Sequence, residues 1–550
     1  MAFDFTPPVV PKDAKNKASD IVLVLPNMNW FDKRVKFMTP FSIIALTGII
    51  KKAGYDFTFI DSTVEDISPE EFGKRIKALQ PKIFLISSIS TQYAVQTHLA
   101  LKLAKKAAPN CITVHGGIYA TTYSEGAIKN LDTDYVFTGP AENRLPQVLD
   151  YLMADNHDDL INKIDGIGYR DKKTGKQKIT THPSFGNIIK HQGTDPDYSK
   201  VDIKKYIFQD ARIVEFQSNY IEPTMVIQTS FGCVHQCTFC AVQTITGRKM
   251  VFRSVETVLD EIGWFMKEFG VKHFGFFDQL LLGNKRRCLN LFQGIIDRKY
   301  DIKWKLANSS VWHMHEDLLE LMKRSGCTFI GISTESGSQR VLKEIMKKPV
   351  DLEVIASVVK KCKELGIDIS SYFIIGMPGE TWDEILETVD FADRMDFDLA
   401  VFNVAQPFAG TPMSKTCMEK GYLPKDFDWT DEKQFGNSKG FITTSKFTPE
   451  DLMNLRTYAW DYINFKNHDK KIRAARVLNI PLSEINEHRR QNRMRKGVHA
   501  VKQNFTLSKS MDKSFLDRGK QTNQEQENDS KYEIDEIKQK FIDARLKCAS

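Results

Sequence analysis

Two stretches of the chain alternate short apolar runs with longer segments of helical spacing. In the first stretch the apolar runs are 21–25, 57–60, 83–87, 112–115 and 135–137, and the helical segments are 42–52, 69–79, 93–107, 124–130 and 142–153. Strands that alternate with helices predict right-handed crossovers and a parallel, doubly wound sheet. A ligand of such a sheet is expected beyond the carboxyl ends of its strands.

The second stretch repeats the alternation with longer units. Its apolar runs are 225–229, 273–277, 304–307, 329–333, 368–375 and 400–404, and its helical segments are 255–269, 285–298, 316–325, 351–365 and 381–394. About six β/α units follow from this pattern, fewer than the eight of a complete barrel. We therefore predict an α/β protein in which a doubly wound sheet precedes a partial (β/α)6 barrel.

The remaining segments set the predicted domain boundaries. Pro and Lys are frequent in the first residues, a polar turn at 171–177 separates two short strand-like runs, and the chain after 446 becomes polar beyond one helical segment. We expect a flexible arm over 1–19, the doubly wound domain over 20–154, a connector with a hairpin over 155–222, the barrel over 223–445, and a mostly helical, polar extension over 446–550.

Composition narrows the class of protein. The chain has 550 residues, of which 41% are hydrophobic and 27% charged, with a formal charge of +7. These values are ordinary for a soluble multidomain protein, and the charge permits anionic substrates without requiring nucleic acid. No apolar run approaches the roughly 20 residues that span a bilayer, and the N-terminus lacks the order of a signal peptide. We expect a cytoplasmic location, where nine cysteines indicate metal or redox chemistry instead of disulfides.

Three of these cysteines are clustered. Cys233, Cys237 and Cys240 lie in one eight-residue loop directly after the first strand of the second stretch. Three thiolates can hold three irons of a cubane cluster and leave the fourth iron open to a small molecule. Two alternatives stay open at this point. Cys237 and Cys240 could form half of a zinc site with His235 as a further ligand, or the thiols could be structural.

The spacing C-x3-C-x2-C, with Phe239 before the last cysteine, resembles the radical S-adenosylmethionine (SAM) superfamily. The resemblance implies that Cys233, Cys237 and Cys240 hold a [4Fe–4S] cluster whose open iron binds SAM. Segments 251–256, 331–340, 375–381 and 407–412 also resemble motifs of the family, although Ser333 stands where the family usually has glycine. The implied SAM-binding residues are Phe239, Glu335, Ser336 and Gly376. Glu380 suits the positive end of a helix, where it could equally belong to an ordinary capped turn.

Small residues stand at the predicted strand ends of 20–154, among them Ser87-Ser88, Gly116-Gly117 and Gly139. With them, this stretch resembles the cobalamin-binding domain that precedes the barrel in one branch of this family. The resemblance rests on small residues at predicted strand ends, where a flat ligand can approach the backbone closely. It implies a cobalamin site formed by Ser87, Ser88, Gly116, Gly117, Gly139 and Glu142. An ordinary set of tight turns is the alternative. The D-x-H-x2-G motif of other cobalamin proteins is missing, so we expect no histidine below the cobalt.

The resemblance implies a cobalamin-dependent radical SAM methyltransferase. Such an enzyme moves a methyl group from SAM, by way of methylcobalamin, to an unactivated carbon or a phosphinate phosphorus of a small-molecule substrate. An electron donor such as flavodoxin or ferredoxin is the expected partner. The alternatives are a radical SAM/cobalamin oxidoreductase or anaerobic oxidative cyclase and, more remotely, a zinc-bearing protein that binds nucleic acid through basic residues at 489–496. No residue is assigned a catalytic role from the sequence.

Overall fold

The computed structural model describes residues 16–30, 39–141, 144–171, 173–180, 196–207, 223–311, 314–431 and 439–495. Predicted strands and observed strands agree to within two residues at each end. The prediction of a doubly wound sheet followed by a partial barrel and a helical extension is confirmed. Of the predicted segments, residues 1–15, Glu142, 181–195, 208–222 and 496–550 lie outside the described residues.

The first sheet has the strand order 2-1-3-4-5, and an antiparallel hairpin extends its β5 edge. Its strands are β1 (Ile21–Leu25), β2 (Thr58–Asp61), β3 (Ile83–Ser88), β4 (Ile112–Gly116), β5 (Tyr135–Phe137), β6 (Ile167–Arg170) and β7 (Gln177–Ile179). The helices are α1 (Phe41–Lys52), α2 (Pro69–Leu79), α3 (Ala94–Ala107), α4 (Gly117–Thr122), α5 (Ser124–Lys129), α6 (Leu145–Met153) and α7 (His157–Lys163). The order reverses between β1 and β3, and the crevice at such a point is where doubly wound sheets bind ligands.

Helices cover both faces of this sheet, which explains why β1 is apolar throughout and β3 is apolar up to its two terminal serines. Ile21 and Leu23 of β1 pack towards α1 and α6, whereas Val22 and Val24 pack towards α2 and α3. A parallel strand that is buried on both faces loses the alternation of a half-exposed strand. Burial on both faces of the sheet therefore explains the continuous apolar runs of the sequence.

The second sheet contains six parallel strands in chain order. They are β8 (Thr224–Ile227), β11 (His273–Phe276), β12 (Lys303–Ser309), β13 (Cys327–Glu335), β14 (Asp368–Ile375) and β15 (Leu399–Val404), and a separate hairpin of β9 (Ser230–Gly232) and β10 (Met250–Phe252) follows β8. The accompanying helices are α8 (Val242–Thr246), α9 (Val255–Phe269), α10 (Lys285–Asp297), α11 (Glu316–Arg324), α12 (Leu352–Glu364), α13 (Trp382–Arg394) and α14 (Pro412–Glu419).

Helices α15 (Pro449–Phe465), α16 (His468–Leu478) and α17 (Ile485–Arg495) complete the described chain. Helix α15 closes the free edge of β15. The Asn464 side chain accepts from the backbone N–H of Ala400 at 2.7 Å and donates to its carbonyl at 2.8 Å, and Arg456 donates to the carbonyl of Phe402 at 2.7 Å. Side chains thus satisfy backbone groups that an edge strand would otherwise present to another chain. Among the described helices, none has the length and apolar character needed to cross a bilayer.

The connector residues 196–207 join the two sheets through buried polar contacts. Lys51 of α1 forms an ion pair with Asp197 at 2.8 Å, and Tyr206 donates to Asp61 at the end of β2 at 2.5 Å. On the barrel side, Tyr198 donates to Glu261 of α9. Buried hydrogen bonds of this kind are costly to break, so the connector holds the two domains in a fixed relation.

Candidate functional site

The cysteine loop, residues 233–240, lies between β9 and β10. This hairpin follows the carboxyl end of β8. Cys237 is buried and Cys233 and Cys240 are partly buried, and all three are free thiols. Backbone N–H groups of Val234 and His235 face the sulfur of Cys233, and that of Val242 faces the sulfur of Cys240. Amide donors to sulfur are one of the means by which proteins tune an iron–sulfur cluster.

Burial opposes ionisation of the three thiols of the loop. Burial raises the pKa of the Cys237 thiol to about 12, and the charges of Glu335 and Lys348 act on the same sulfur. A buried thiol gives up its proton only where a strong positive charge compensates the thiolate, as coordinated iron does. In the described ranges, no three His, Cys, Asp or Glu side chains already converge on one point that could hold a single ion. A cubane takes each thiolate on a different iron, so the donor set of this loop fits such a cluster.

The end of β13 lies beside the cysteine loop. Thr238 donates its backbone N–H to the carbonyl of Met346 at 3.0 Å and its hydroxyl to the carbonyl of Ile345 at 2.8 Å. Glu335 ends β13 with a φ of +70° and forms a buried ion pair with Lys348 at 3.1 Å. A left-handed residue other than glycine is uncommon and is often found at functional sites. The sequence motif singled out Glu335, but no local signal pointed to Lys348.

The other predicted SAM-binding residues occupy supporting positions. The Ser336 hydroxyl is fully buried, contacts Thr388 at 3.0 Å and accepts from the N–H of Ser338 at 3.1 Å. Phe239 is partly buried and packs against the barrel core. Gly376 donates its N–H to Glu380 at 2.7 Å. The structure thus brings these residues to the same end of the barrel, with the Ser336 side chain directed into the protein.

Glu380 is a buried acid that ties down the turn after β14. One carboxylate oxygen accepts from the N–H groups of Gly376 at 2.7 Å and Met377 at 2.8 Å. The other oxygen is buried and has no hydrogen-bond partner among the described residues. Burial raises the pKa of Glu380 to about 8 and outweighs the opposing effects of the two backbone hydrogen bonds and of the Arg340 charge. Glu380 therefore supports the turn that carries Gly376.

A second buried network fixes the hairpin that carries the cysteine loop. Asp278, directly after β11, accepts from the N–H and hydroxyl of Thr229 at 3.1 and 2.9 Å and from the Ser230 hydroxyl at 2.5 Å. Arg287 donates to the Thr229 carbonyl at 3.0 Å and to the Arg253 carbonyl at 3.1 Å. Asp278 directly follows the predicted strand 273–277, whereas no feature of the sequence indicates the role of Arg287 on α10.

In the first domain, five of the six predicted cobalamin residues lie at the carboxyl ends of β3, β4 and β5. Gly117 has a φ of +93°, and a Cβ atom there would lie 2.4 Å from the Ser88 carbonyl oxygen. Thr121 links two of the turns because its hydroxyl donates to the Gly117 carbonyl at 2.8 Å and accepts from the Gly139 N–H at 2.9 Å. Only glycine allows this close approach at position 117.

Ser87 and Ser88, at the end of β3, are both buried. The Ser88 hydroxyl contacts His115 Nε2 at 2.9 Å and the Gly116 carbonyl at 3.1 Å. Burial lowers the pKa of His115 to about 3, so this histidine is neutral. Ser87 is buried beside Gly117, and Glu142 lies outside the described residues. The edge offers backbone and small side chains, which fits a flat ligand.

The carboxyl-end turns of the two sheets face each other. Phe41, at the start of α1, stacks on Phe277 after β11 with ring centroids 6.3 Å apart and an interplanar angle of 28°. Beside the cysteine loop, the Thr244 hydroxyl donates to the Gly410 carbonyl at 2.8 Å. A Cβ atom at Gly410 would lie 2.9 Å from the carbonyl oxygen of Thr122 in α4. Turns of the two domains therefore contact each other at two places near the two candidate cofactor sites.

Comparisons with known proteins identify both domains. A family model described as the radical SAM superfamily matches residues 227–392, and one described as the B12 binding domain matches residues 32–149. Among solved structures, the radical SAM methyltransferase TsrM from Kitasatospora setae aligns with a TM-score of 0.66 and 16% identity over 88% of this chain and 100% of that protein. The cobalamin-dependent radical SAM enzyme OxsB aligns with the same TM-score and identity over 96% of this chain and 80% of its own.

Relatives in sequence include methyltransferases and a cyclase. Cytidylyl-2-hydroxyethylphosphonate methyltransferase of Streptomyces wedmorensis is 27% identical over 76% of this chain and 85% of its own length. An uncharacterized methyltransferase of Pyrococcus horikoshii is 28% identical over 82% and 93%. The anaerobic magnesium-protoporphyrin IX monomethyl ester cyclase of Cereibacter sphaeroides is 27% identical over 72% and 63%.

Proposed function

The chain belongs to the cobalamin-dependent radical SAM enzymes, and we propose that it transfers a methyl group from SAM to an unactivated carbon or a phosphinate phosphorus of a small-molecule substrate. One observation carries this proposal. The turns that would hold the corrinoid and the turns that would hold the cluster meet across one interface, at Phe41 and Phe277 and again at Thr122 and Gly410. A methyl group and a substrate radical must come together in such a place.

Three sets of residues would hold the cofactors. Cys233, Cys237 and Cys240 would hold the [4Fe–4S] cluster, and Phe239, Glu335, Ser336 and Gly376 would form the SAM site. Ser87, Ser88, Gly116, Gly117, Gly139 and Glu142 would form the cobalamin site. When bound, the cluster and SAM supply a radical that removes hydrogen from the substrate, and the corrinoid supplies the methyl group.

The protein's own side chains prepare the interface for this chemistry. Phe41 and Phe277 pack with Val226 and Ala307 in an apolar cluster, which excludes water from the place where a reactive radical would form. Lys348 forms a buried ion pair with Glu335 at 3.1 Å, which offsets part of the cost of burying the two side chains. A carboxyl group at this place suits a ligand that carries an ammonium group.

Methyl transfer is favoured over ring formation because this chain matches a larger share of the methyltransferase relatives than of the cyclase. The two methyltransferase relatives are matched over 85% and 93% of their lengths, whereas the cyclase is matched over 63%. An oxidative cyclase is the second candidate function, because that relative also shares most of this chain. We further propose that the enzyme works in the reducing cytoplasm, where thiols stay reduced. We propose a one-electron donor protein such as flavodoxin or ferredoxin as its partner, since reductive cleavage of SAM at the cluster consumes one electron.

The test uses full-length protein that is reconstituted under nitrogen with iron, sulfide and cobalamin. SAM with a deuterated methyl group is supplied with a reductant and candidate substrates, beginning with cytidylyl-2-hydroxyethylphosphonate, and products are analysed by mass spectrometry. We expect S-adenosylhomocysteine, 5′-deoxyadenosine and a substrate that has gained the labelled methyl group. The Cys237→Ala variant is the control. A colourless wild-type protein that binds Zn²⁺ in place of iron would contradict the proposal, and 5′-deoxyadenosine without S-adenosylhomocysteine would favour the cyclase.

A further inference from the structure

The cysteine loop has one exposed tip, and a basic residue lies on it. Gln236 is the exposed residue of the segment 231–240. Its side-chain oxygen, with the amide oriented towards Arg248, accepts from the two terminal guanidinium nitrogens at 2.8 and 3.0 Å. Arg248 is itself exposed. A solvent-facing positive charge is therefore hydrogen-bonded to the loop that carries the three thiols.

Two more exposed cations flank the same loop from the segment after β13. Thr238, which lies between Cys237 and Cys240, is hydrogen-bonded to the carbonyls of Ile345 and Met346. Lys347 follows Met346 directly and Lys343 precedes Ile345 by two positions, and both side chains are exposed. We call Arg248, Lys343 and Lys347 the basic rim of the cysteine loop.

The acidic residues nearby do not cancel the charge of the rim. Glu344 is exposed but pairs with Arg340 at 3.5 Å, and Glu384 pairs with the same guanidinium at 2.5 Å. These three residues carry a combined charge of one negative unit against three positive units on the rim. Within the described part of the chain, Lys343 and Lys347 form no ion pair with any carboxylate. The rim thus presents a net positive field to solvent.

The first domain contacts the loop region at α8. Its α4 approaches through Thr122, which lies against Gly410 and so beside Thr244 of α8. A substrate enclosed between the domains would lie on that side. Arg248, Lys343 and Lys347 are exposed with both domains in place, so a second protein can reach the rim without entering the interface between the domains.

We propose that the basic rim is the docking surface for an acidic one-electron carrier, a small flavin or iron–sulfur protein. The proposal rests on the proposed function, because it requires a cluster in the loop. On docking, the reduced carrier gives one electron to the cluster and is itself oxidised by one electron. Complementary charge on a small interface accelerates encounter without strong affinity, which suits a partner that must leave after each transfer.

The experiment compares two reductants on the reconstituted full-length enzyme. One is flavodoxin kept reduced by its reductase and NADPH, and the other is reduced methyl viologen, a small cation that a basic rim does not attract. The rim variant reverses the three charges of the rim through Arg248→Glu, Lys343→Glu and Lys347→Glu. The matched control reverses three exposed lysines of the first domain, Lys102→Glu, Lys106→Glu and Lys129→Glu. Bleaching of the cluster absorbance and release of 5′-deoxyadenosine are measured.

We expect the rim variant to lose about ten-fold or more of its flavodoxin-driven rate, the smaller end of the range that electrostatic steering gives. Its viologen-driven rate should stay within about two-fold of wild type, because a small cation needs no docking surface. The control variant should keep both rates. A rim variant that retains the wild-type flavodoxin-driven rate overturns the proposal. Transfer RNA that binds the wild type but not the rim variant, with no change in the flavodoxin-driven rate, would likewise overturn it.

A second measurement needs no variant. In wild-type enzyme the flavodoxin-driven rate should fall as salt screens the charges of the rim, whereas the viologen-driven rate should not fall. A flavodoxin-driven rate that is independent of salt overturns the proposal even where the triple variant folds poorly. Failure of the proposed function has a separate signature, since wild-type protein would then contain no iron or would not cleave SAM with viologen.

Discussion

A buried ion pair beneath the cysteine loop gives the sharpest stability prediction. Arg253, just after β10, donates to Glu261 of α9 at 2.7 Å, with side chains 2% and 1% exposed. Arg253 also donates to the Gln228 carbonyl at 2.8 Å, and Tyr198 of the connector donates to Glu261. The perturbation is Arg253→Met, which keeps the apolar bulk of the side chain and removes its charge.

The expected loss follows from the distance and the burial. At 2.7 Å and an effective dielectric constant near 20, the attraction between the two charges is about 6 kcal/mol. Desolvation of both ions offsets much of that gain in the native protein. Arg253→Met alone leaves the Glu261 carboxylate buried without its counter-charge, for which we expect a loss of about 3–5 kcal/mol. In the double variant Arg253→Met/Glu261→Gln the stranded charge is gone and Tyr198 keeps an acceptor. We expect that variant to regain at least about 2 kcal/mol.

The assay measures the local opening of α9, because a multidomain protein need not unfold in one step. Hydrogen exchange of peptides from α9 is followed by mass spectrometry, and the protection lost in each variant is converted to a free energy of opening. The matched control is Arg298→Met, since Arg298 pairs with Glu256 and Asp260 of the same helix but its side chain is 24% exposed. We expect the control to lose no more than about 1 kcal/mol. The reasoning is wrong if Arg253→Met costs no more than Arg298→Met, or if the double variant is no more stable than the single one.

Three further outcomes can be measured. Cys237→Ala should abolish iron binding after reconstitution, whereas Cys362→Ala, a buried thiol on α12, should retain it; iron retained in Cys237→Ala would exclude the loop as the cluster site. The raised pKa of Glu380, about 8 against an ordinary 4.5, means that its contribution to stability is present in full below pH 4.5 and is lost as the pH rises through about 8. The melting temperature of wild type should therefore fall over this range more than that of Glu380→Gln, and identical pH profiles would contradict the shift. Gly410→Val should lower methyl transfer on the order of 10–100-fold by separating the domain faces, whereas Gly421→Ala, at a φ of +65° in open space, should not; equal effects would point to general misfolding.

The order of strands and helices was readable from the sequence because it depends on neighbouring residues. A continuous apolar run such as Ile21–Leu25 identifies a strand covered on both faces, and the spacing of Cys233, Cys237 and Cys240 is preserved in any fold that keeps the loop intact. The fold class and the nature of the cofactors could therefore be predicted. Even the glycines of the cobalamin motif were identifiable, since their backbone requirement is local.

The pairings that build the site come from the tertiary structure alone. Lys348 reaches Glu335, Phe41 reaches Phe277 across the two domains, and Arg253 meets Glu261 beneath the loop. None of these partners is marked by a local pattern, because each satisfies a buried charge or an apolar surface that exists only once the sheets have packed. Periodicity along the chain determines which segments become strands and helices, and burial between distant segments determines which side chains end up in contact.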